Sequence, residues 1–354
     1  MTHIPALDGM RGFAVIVVML LHAGVPAFAG GGLGVDIFFV LSGYLITSIL
    51  HAEIIRTGSL DFLRFFAKRA FRLVPALGIA LLLTTILTFA LRPHAEIAAL
   101  PMNLTAAGLF FMDVHVAGQA HFNDTGMLGH TWSLAVEERY YMFWPAILLL
   151  TLRKTRSLAG FLFILWVFAT LYYATRQAMG IDDLALHFRA DNRLSGLIMG
   201  SMLAAFVANG GRFERAGIYA RLLAPVMLIM VVGEAGIVIH KHALTEIGTA
   251  LIILAIIQGD RFWNYALSGR FLVYTGRISY GLYLYHMIAI MSMAPLAPTE
   301  ALLVAVPISV VAAILSFHLV ERPILEWGRN LLGGSRKARH IQAPRARVWK
   351  GEPT

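Results

Sequence analysis

The sequence predicts an all-α, polytopic transmembrane helical bundle, and three observations support this class: a scarcity of charge, long apolar runs and an uneven distribution of basic residues. Of the 354 residues, 58% are hydrophobic and only 14% are charged, and the mean hydropathy is +0.72. A soluble domain has about 25% charged residues. The apolar residues come in runs of roughly 20, the length that a helix needs to cross about 30 Å of hydrocarbon.

These runs predict about ten membrane spans with both termini in the cytoplasm. The predicted spans are 12–29, 33–51, 73–91, 130–150, 158–178, 194–209, 222–239, 244–258, 274–294 and 299–320. With a cytoplasmic N-terminus, 22 of the 29 basic residues lie on the cytoplasmic side. This asymmetry follows the positive-inside rule, so the net charge of +9 reflects topology and not nucleic-acid binding. The absence of cysteine excludes disulfides, thiolate metal sites and cysteine nucleophiles.

The chain is predicted to form one membrane domain, 1–332, followed by a basic, disordered cytoplasmic tail, 333–354. The longest polar connection, 92–129, lies on the outer side, and a loop of that length is usually functional or mobile. The cytoplasmic stretch SLDFLRFFAKRAFRLVP alternates phenylalanines with basic residues. It predicts an amphipathic helix in the membrane interface, ending where Pro75 opens the third span.

An arginine and a histidine frame the first apolar run, which reads LDGMRGFAVIVVMLLH. Arg11 and His22 are separated by three helical turns plus about 20°, or about 16 Å along the axis, so they share one helix face. Arg11 is expected at the cytoplasmic rim and His22 near the middle of the membrane. The plainer interpretation is a topology anchor and a packed polar side chain. Ionisable groups inside membranes, however, usually mark a pathway or a reaction site, and a neutral imidazole suits a general base.

Polar residues also mark the second and sixth predicted spans. Asp36 lies near the outer end of the second span, where a carboxylate needs a partner or water. Ser42 and Gly43 follow it, and such small residues are typical of helix contacts in membranes. Arg193, in the sequence DNRLSG, stands at the outer end of the sixth span, either as an anchor or as part of a site.

The fourth span opens HTWSLAVEERYY. Glu137 and Glu138 point about 100° apart on a helix. We therefore expect at most one of them to face a given cavity, with Arg139 neutralising the other. The plainer interpretation is an interfacial segment in which Trp132 belongs to an aromatic belt.

The fragment RISYGLYLYH places Tyr283 and His286 within a span, where they either line a cavity or belong to an aromatic belt. His115, His121 and His130 lie in one region, but their spacing fits no zinc pattern, so no metal site is predicted. Loop polarity explains these three histidines.

Taken together, the fragments resemble the acyltransferase-3 family of integral membrane acyltransferases. The matches, in family order and over about residues 3–325, are LDGMRG, GVDIFFVLSGYLI, KRAFRLVP, TWSLAVEERYYMFWP, RLSGLIMGSMLA, ISYGLYLYH and VERP. Tyr140 stands where phenylalanine is usual, and Ser195 stands where an acidic residue is common. Some members carry a C-terminal SGNH hydrolase-like domain, and we expect none here.

The resemblance implies transfer of an acyl group, commonly acetyl, from cytoplasmic acyl-CoA to a hydroxyl of a glycan or another acceptor. It assigns the key histidine to His22, its paired arginine to Arg11 and the family's acidic residue to Glu137. Acyl-CoA would be a co-substrate, with no tightly bound cofactor. We expect a multi-pass protein of the plasma (inner) membrane that modifies a cell-surface glycan, such as O-antigen or exopolysaccharide, or a lipid-linked sugar.

Physical chemistry adds an expected arrangement of the donor. The phosphates of CoA should stay at the basic cytoplasmic face, where Arg11, Arg69 and Arg72 are candidates to bind them. The pantetheine arm would then carry the thioester roughly 15–20 Å to the depth of His22, a distance similar to three helical turns. Contacts with the substrates are expected from five further residues: Ser42, Trp132, Arg193, Tyr283 and His286.

In this scheme His22 deprotonates the acceptor hydroxyl, and Glu137 or Asp36 holds the imidazole tautomer, as the third group does in a catalytic triad. An acyl-histidine relay is equally allowed. Two other classes of function remain open from the residues alone. One is a proton-coupled transporter that uses His22, Glu137 and Asp36 as a relay, and the other is a structural membrane subunit.

Overall fold

The computed structural model describes residues 3–154, 157–232, 241–293 and 297–341. Helices make up 86% of it, and these ranges contain no strand. The all-α class predicted from the sequence is therefore confirmed. The α-helices are α1 Pro5–His22, α2 Leu33–Thr57, α3 Phe62–Leu91, α4 His94–Gly108, α5 Met112–Ala117, α6 Trp132–Lys154, α7 Leu158–Ala178, α8 Asp183–Phe188, α9 Ala190–Arg193, α10 Ser195–Ala208, α11 Ala216–Val232, α12 Lys241–Ile257, α13 Arg261–Leu267, α14 Arg270–Arg277, α15 Ser279–Ser292, α16 Pro298–Glu300, α17 Val306–Ser316 and α18 Arg322–Ile341.

Five helical segments in the described ranges are long and apolar enough to cross a membrane: Pro5–His22, Pro26–Thr57, Phe62–Leu91, Leu158–Ala178 and Ala301–Leu332. A sixth results if α12 and α13, which meet at an angle of 103°, count as one broken span. The multi-pass character is supported, but the predicted number of ten is not confirmed. The difference arises partly because α6 carries three consecutive charged residues and α15 has only 14 residues. The orientation of the termini stays a prediction.

Two predicted boundaries are wrong. The first helix begins at Pro5 and ends at His22, whereas the predicted span was 12–29. His22 is therefore the last residue of α1 and does not lie halfway along a span. The predicted interfacial helix and third span are one helix of 30 residues, α3, which the Asp61 side chain caps by accepting from Arg64 N at 3.0 Å. Pro75 lies inside α3, as membrane helices tolerate.

The connection 92–129, predicted as a polar loop, is largely folded into α4, α5 and the start of a 3₁₀ segment, Phe122–Thr131. Its anchor is Asp113, which is fully buried and accepts two hydrogen bonds from Arg139 at 2.8 and 2.9 Å. Asp113 also accepts a hydrogen bond from Ala190 N at 3.2 Å. Arg139 was predicted to neutralise Glu137 or Glu138. It neutralises Asp113 of this connection instead.

Partial burial in the same connection lowers the pKa of the His115 imidazole, because burial disfavours the charged form. Its Nε2 lies 2.8 Å from Asn103 Oδ1.

Glycines allow the closest helix contacts around the candidate site. A Cβ on Gly43 of α2 would lie 2.1 Å from the carbonyl oxygen of Leu197 in α10, and one on Gly200 would lie 2.0 Å from that of Val40. Only residues without a side chain fit there, which is how small residues bring membrane helices together. The prediction that Gly43 marks a helix contact agrees with this geometry.

The C-terminal helix α18 continues to Ile341, so it enters the stretch predicted as a disordered tail from residue 333. The remainder of that tail, 342–354, lies outside the described residues.

Candidate active site

A cavity of about 680 Å³ opens among α1, α2, α3, α6 and α15, within the usual size range of a small-molecule site. More of its wall is apolar than polar. Six of the eleven predicted site residues line it: Arg11, Ser42, Arg69, Arg72, Glu137 and Tyr283.

The three predicted arginines form a basic cluster on the wall of this cavity. Arg69 is neutralised by an ion pair with Glu138, and its guanidinium lies 3.6 Å from the centre of the Tyr141 ring. Within the described ranges, Arg11 and Arg72 form no ion pair, and they lie close enough for their charges to repel each other. Arg11 and Arg72 share the cavity wall with Glu137, whose carboxylate interacts electrostatically with both, and the planar shape of guanidinium groups suits phosphate.

Glu137 and Glu138 both line the cavity, so the prediction that only one would do so is wrong. The cavity is wide enough to reach two side chains that leave α6 in different directions. Glu138 forms an ion pair with Arg69, whereas Glu137 forms none within the described ranges.

His22 does not line the cavity. Its Nδ1 lies 2.9 Å from His286 Nε2, and the centres of the two rings are 5.0 Å apart. His130, the third ring of this cluster, lies 5.1 Å from His286. His130 is fully buried, which corrects the explanation of this histidine by loop polarity.

Tyr283 stands between the cavity and the histidines. It lines the cavity, and its hydroxyl lies 2.7 Å from Ser133 Oγ and 2.7 Å from the carbonyl oxygen of His130. Its ring is 5.6 Å from that of His286. The cavity therefore leads from the arginines to a tyrosine that contacts the histidine cluster.

Asp36, a predicted supporter of His22, is engaged elsewhere. Its carboxylate accepts from Arg193 at 2.8 Å and lies 2.9 Å from His242 Nδ1, and only 2% of Asp36 is exposed. Arg193 lies 5.6 Å from the ring of Trp132. Three predicted site residues thus belong to one buried network, separate from the lining of the large cavity.

Sequence reasoning missed several members of the site and of this network. His242 lay in a short predicted connection, where a histidine gives no signal. Glu246 lay within the predicted span 244–258 and was detectable as a carboxylate inside an apolar run. It accepts hydrogen bonds from Ser195 at 2.5 Å and from Trp166 at 2.7 Å. Ser195, at the position where the family commonly has an acidic residue, therefore donates a hydrogen bond to an acidic residue of α12, Glu246.

A metal-binding group of three or more histidine, aspartate or glutamate side chains is absent from the part of the chain that the structure describes. The His22–His286 imidazole pair lies beside the cavity, and Arg11 and Arg72 line the cavity itself.

The fold and this site describe a helical membrane protein with a cavity of the size of a small-molecule site, and comparison with known proteins specifies its family. The acyltransferase domain model matches residues 4–321, nearly the whole chain, so this protein belongs to the acyltransferase-3 family. The resemblance inferred from the motifs is confirmed.

Curated relatives include the O-acetyltransferase OatA of Staphylococcus aureus strain NCTC 8325, which is 29% identical over 350 residues. The match covers 92% of this chain and 58% of OatA. A putative O-acetyltransferase of S. aureus strain COL is 29% identical over 364 residues, covering 94% of this chain and 59% of that protein. The chain thus spans somewhat under three-fifths of the length of these relatives. No solved structure matches the chain.

Proposed function

We propose that this protein is a membrane O-acyltransferase, moving an acetyl group from cytoplasmic acetyl-CoA to a hydroxyl of a cell-surface glycan or a lipid-linked sugar. The observation that carries the proposal is the cavity that Arg11 and Arg72 line together with Tyr283, which in turn contacts the histidine cluster. Membership of an acyltransferase family and the names of the O-acetyltransferase relatives support the reaction class. We place the protein in the plasma membrane with both termini in the cytoplasm.

The donor is proposed to bind with its phosphates at Arg11 and Arg72. Arg69 flanks them but is already paired with Glu138. The helical rise between Arg11 and His22 is about 16 Å, a distance that the extended pantetheine arm of CoA spans. The apolar wall of the cavity suits the uncharged part of that arm, and the thioester would pass Tyr283 to meet His22.

In the proposed reaction, His22 takes the proton of the acceptor hydroxyl as its oxygen attacks the thioester carbonyl. A new C–O ester bond forms, the C–S bond breaks, and the proton passes from His22 to the leaving CoA thiolate. Glu137, which faces the cavity without an ion-pair partner, is proposed to orient the donor or the acceptor. Asp36 is not proposed as the support of His22, since Arg193 and His242 bind its carboxylate.

Direct transfer and an acyl-histidine relay differ in one observable. In single-turnover reactions without acceptor, a relay leaves labelled acetyl on the protein, whereas direct transfer leaves none.

The alternative function, a proton-coupled transporter, has no support from the family. In that alternative Asp36 would be part of a proton relay, but its carboxylate is bound by Arg193 and His242.

The test is reconstitution of the purified protein in lipid with radiolabelled acetyl-CoA and a crude envelope glycan fraction. Label is expected to enter the glycan with the wild type and not with His22→Ala. His94→Ala is the matched control, because His94 is exposed at the start of α4, away from the cavity. Full transfer by His22→Ala would refute the proposed role of His22, and the absence of any transfer with every envelope fraction would refute the function.

A further inference from the structure

We propose that His286 is a positioning residue that fixes the tautomer of His22 and leaves His22 Nε2 as the basic nitrogen. This inference rests on the proposed function for its catalytic meaning, but its structural basis is independent. It assigns His286 a role different from the substrate contact that the sequence predicted.

The surroundings of His286 Nδ1 fix the position of the proton on this ring. Its Nδ1 lies 2.7 Å from the carbonyl oxygen of Tyr283 and 3.2 Å from that of Leu282. Carbonyl oxygens only accept hydrogen bonds, so Nδ1 must carry the proton and donate.

The burial of His286 determines its charge. The side chain is fully buried, and within the described ranges its hydrogen-bond partners are two carbonyls and one histidine, with no carboxylate among them. Burying an unpaired charge is costly. His286 is therefore neutral, and a neutral imidazole with its proton on Nδ1 has a lone pair on Nε2.

The unprotonated Nε2 of His286 determines which nitrogen of His22 carries the proton. His286 Nε2 and His22 Nδ1 are 2.9 Å apart, a hydrogen-bond distance at which one nitrogen must donate. His286 Nε2 has no proton to give, so His22 Nδ1 is the donor. In the neutral His22 imidazole, Nε2 is then unprotonated and able to accept the proton of a hydroxyl.

The chain from the Tyr283 carbonyl through His286 to His22 thus does what a carboxylate does in a catalytic triad, where the third group holds the base in the correct tautomer. Two residues that the motif ISYGLYLYH places three positions apart act together: Tyr283 supplies the carbonyl, and His286 transmits the constraint. The support that was expected from Glu137 or Asp36 comes from α15.

The experiment is solid-state NMR of the full chain in lipid bilayers, with ¹³C- and ¹⁵N-labelled histidine and no substrate. The ring shifts distinguish the two neutral tautomers and the charged form, and the His22 signals are identified by their loss in His22→Ala. We expect His22 to be neutral with the proton on Nδ1. A His22 that carries its proton on Nε2, or on both nitrogens, at neutral pH would overturn the proposal.

Variants at position 286 give the second measurement. His286→Phe keeps a ring but offers no acceptor, so we expect loss of the fixed tautomer and a fall in kcat on the order of 100-fold, within the usual contribution of general base catalysis. The KM for acetyl-CoA should change little, because the donor phosphates bind at the other end of the cavity. His286→Gln, whose side-chain oxygen accepts from His22, should recover part of kcat.

If wild-type protein transfers acetyl and His286→Phe transfers it equally fast, the role of His286 fails while the proposed function stands. If no acetyl transfer occurs but the NMR gives the Nδ1–H tautomer, the structural inference stands and the proposed function fails.

Discussion

His22 ends α1 with Nδ1 bonded to His286, while Arg11 and Arg72 face the cavity without carboxylate partners in the described ranges. At the level of single residues, these two facts give the proposed site two parts. In the proposed reaction, Arg11 and Arg72 bind the phosphates of the donor, and His22 is the base. Glu138 neutralises Arg69, and the Glu137 carboxylate faces the same cavity as Arg11 and Arg72.

Removing one unpaired arginine should weaken binding of the donor. We predict that Arg72→Ala raises the KM for acetyl-CoA about tenfold with a smaller effect on kcat, because a hydrogen bond to a charged group contributes about 1.5–3 kcal/mol. Steady-state kinetics in lipid measure this change. Arg56→Ala, at an exposed basic residue near the end of α2, is the control and should leave KM unchanged. An unaltered KM in Arg72→Ala would place the CoA phosphates elsewhere.

At the scale of elements, α2 is held to its neighbours by a buried ionic network and by close backbone contacts. Asp36 of α2 binds Arg193 of α9 and His242 of α12, and Gly43 touches α10. These contacts fix the helix that provides one wall of the cavity. Asp36 therefore acts through the position of α2.

Breaking the buried ion pair should destabilise the fold. We predict that Arg193→Met lowers the free energy of unfolding by about 3–5 kcal/mol, because Asp36 is then left buried with only His242. Adding Asp36→Asn should recover part of this loss, since the uncompensated charge is removed. Thermal unfolding in detergent measures both. Arg215→Met, at an exposed arginine, is the matched control. A stable Arg193→Met protein that has lost transfer would instead indicate a substrate contact.

The glycine contact between α2 and α10 gives a second test at this scale. Gly43→Val should reduce the yield of folded protein and its Tm, because the new Cβ would lie 2.1 Å from the Leu197 carbonyl oxygen. Gly78→Ala in α3 is the control, since a Cβ there meets no atom within 4 Å. An unchanged Tm in Gly43→Val would mean that α2 and α10 can move apart without loss of stability, and it would contradict this prediction.

Sequence reasoning succeeded where a pattern lies within one helix and failed where partners are far apart along the chain. The Arg11–His22 separation and the three arginines came from local motifs, and Arg11, Arg69 and Arg72 do face one cavity. The partners of His22 and Asp36 did not follow from sequence, since His286 is 264 residues from His22 and Arg193 is 157 residues from Asp36. Pairing over such separations depends on which helices pack together, and hydropathy does not specify that.

The prediction for the connection 92–129 failed for a different reason. The stretch was predicted as a polar outer loop, but Asn103 in α4 and Asp113 in α5 are buried, because each faces the protein interior from its helix. Composition alone cannot distinguish a polar side chain in water from one that binds inside a protein. The predicted number of ten spans is not confirmed for a related reason, since runs of apolar residues also form helices too short to meet the length of a span.

For the protein in its membrane, cytoplasmic acetyl-CoA can reach Arg11 and Arg72 only if these arginines lie near the cytoplasmic face. Because the chain has no cysteine, single cysteines can be introduced without background. We predict that Ser59→Cys, between α2 and α3, reacts with a membrane-impermeant maleimide only after cells are opened. Asn123→Cys, an exposed position on the connection before α6, should react in intact cells. The reverse pattern would place the proposed donor site on the wrong side of the membrane.

In the proposed reaction, one cavity holds the donor from Arg11 and Arg72 toward His22. A cryo-electron microscopy structure of the protein in lipid with a non-hydrolysable acetyl-CoA analogue would show whether it does. We predict phosphate groups within hydrogen-bond distance of Arg11 and Arg72, and the acetyl group beyond Tyr283, facing His22 Nε2. An analogue bound outside this cavity, or bound within it with the acetyl group beside the arginines, would refute this arrangement.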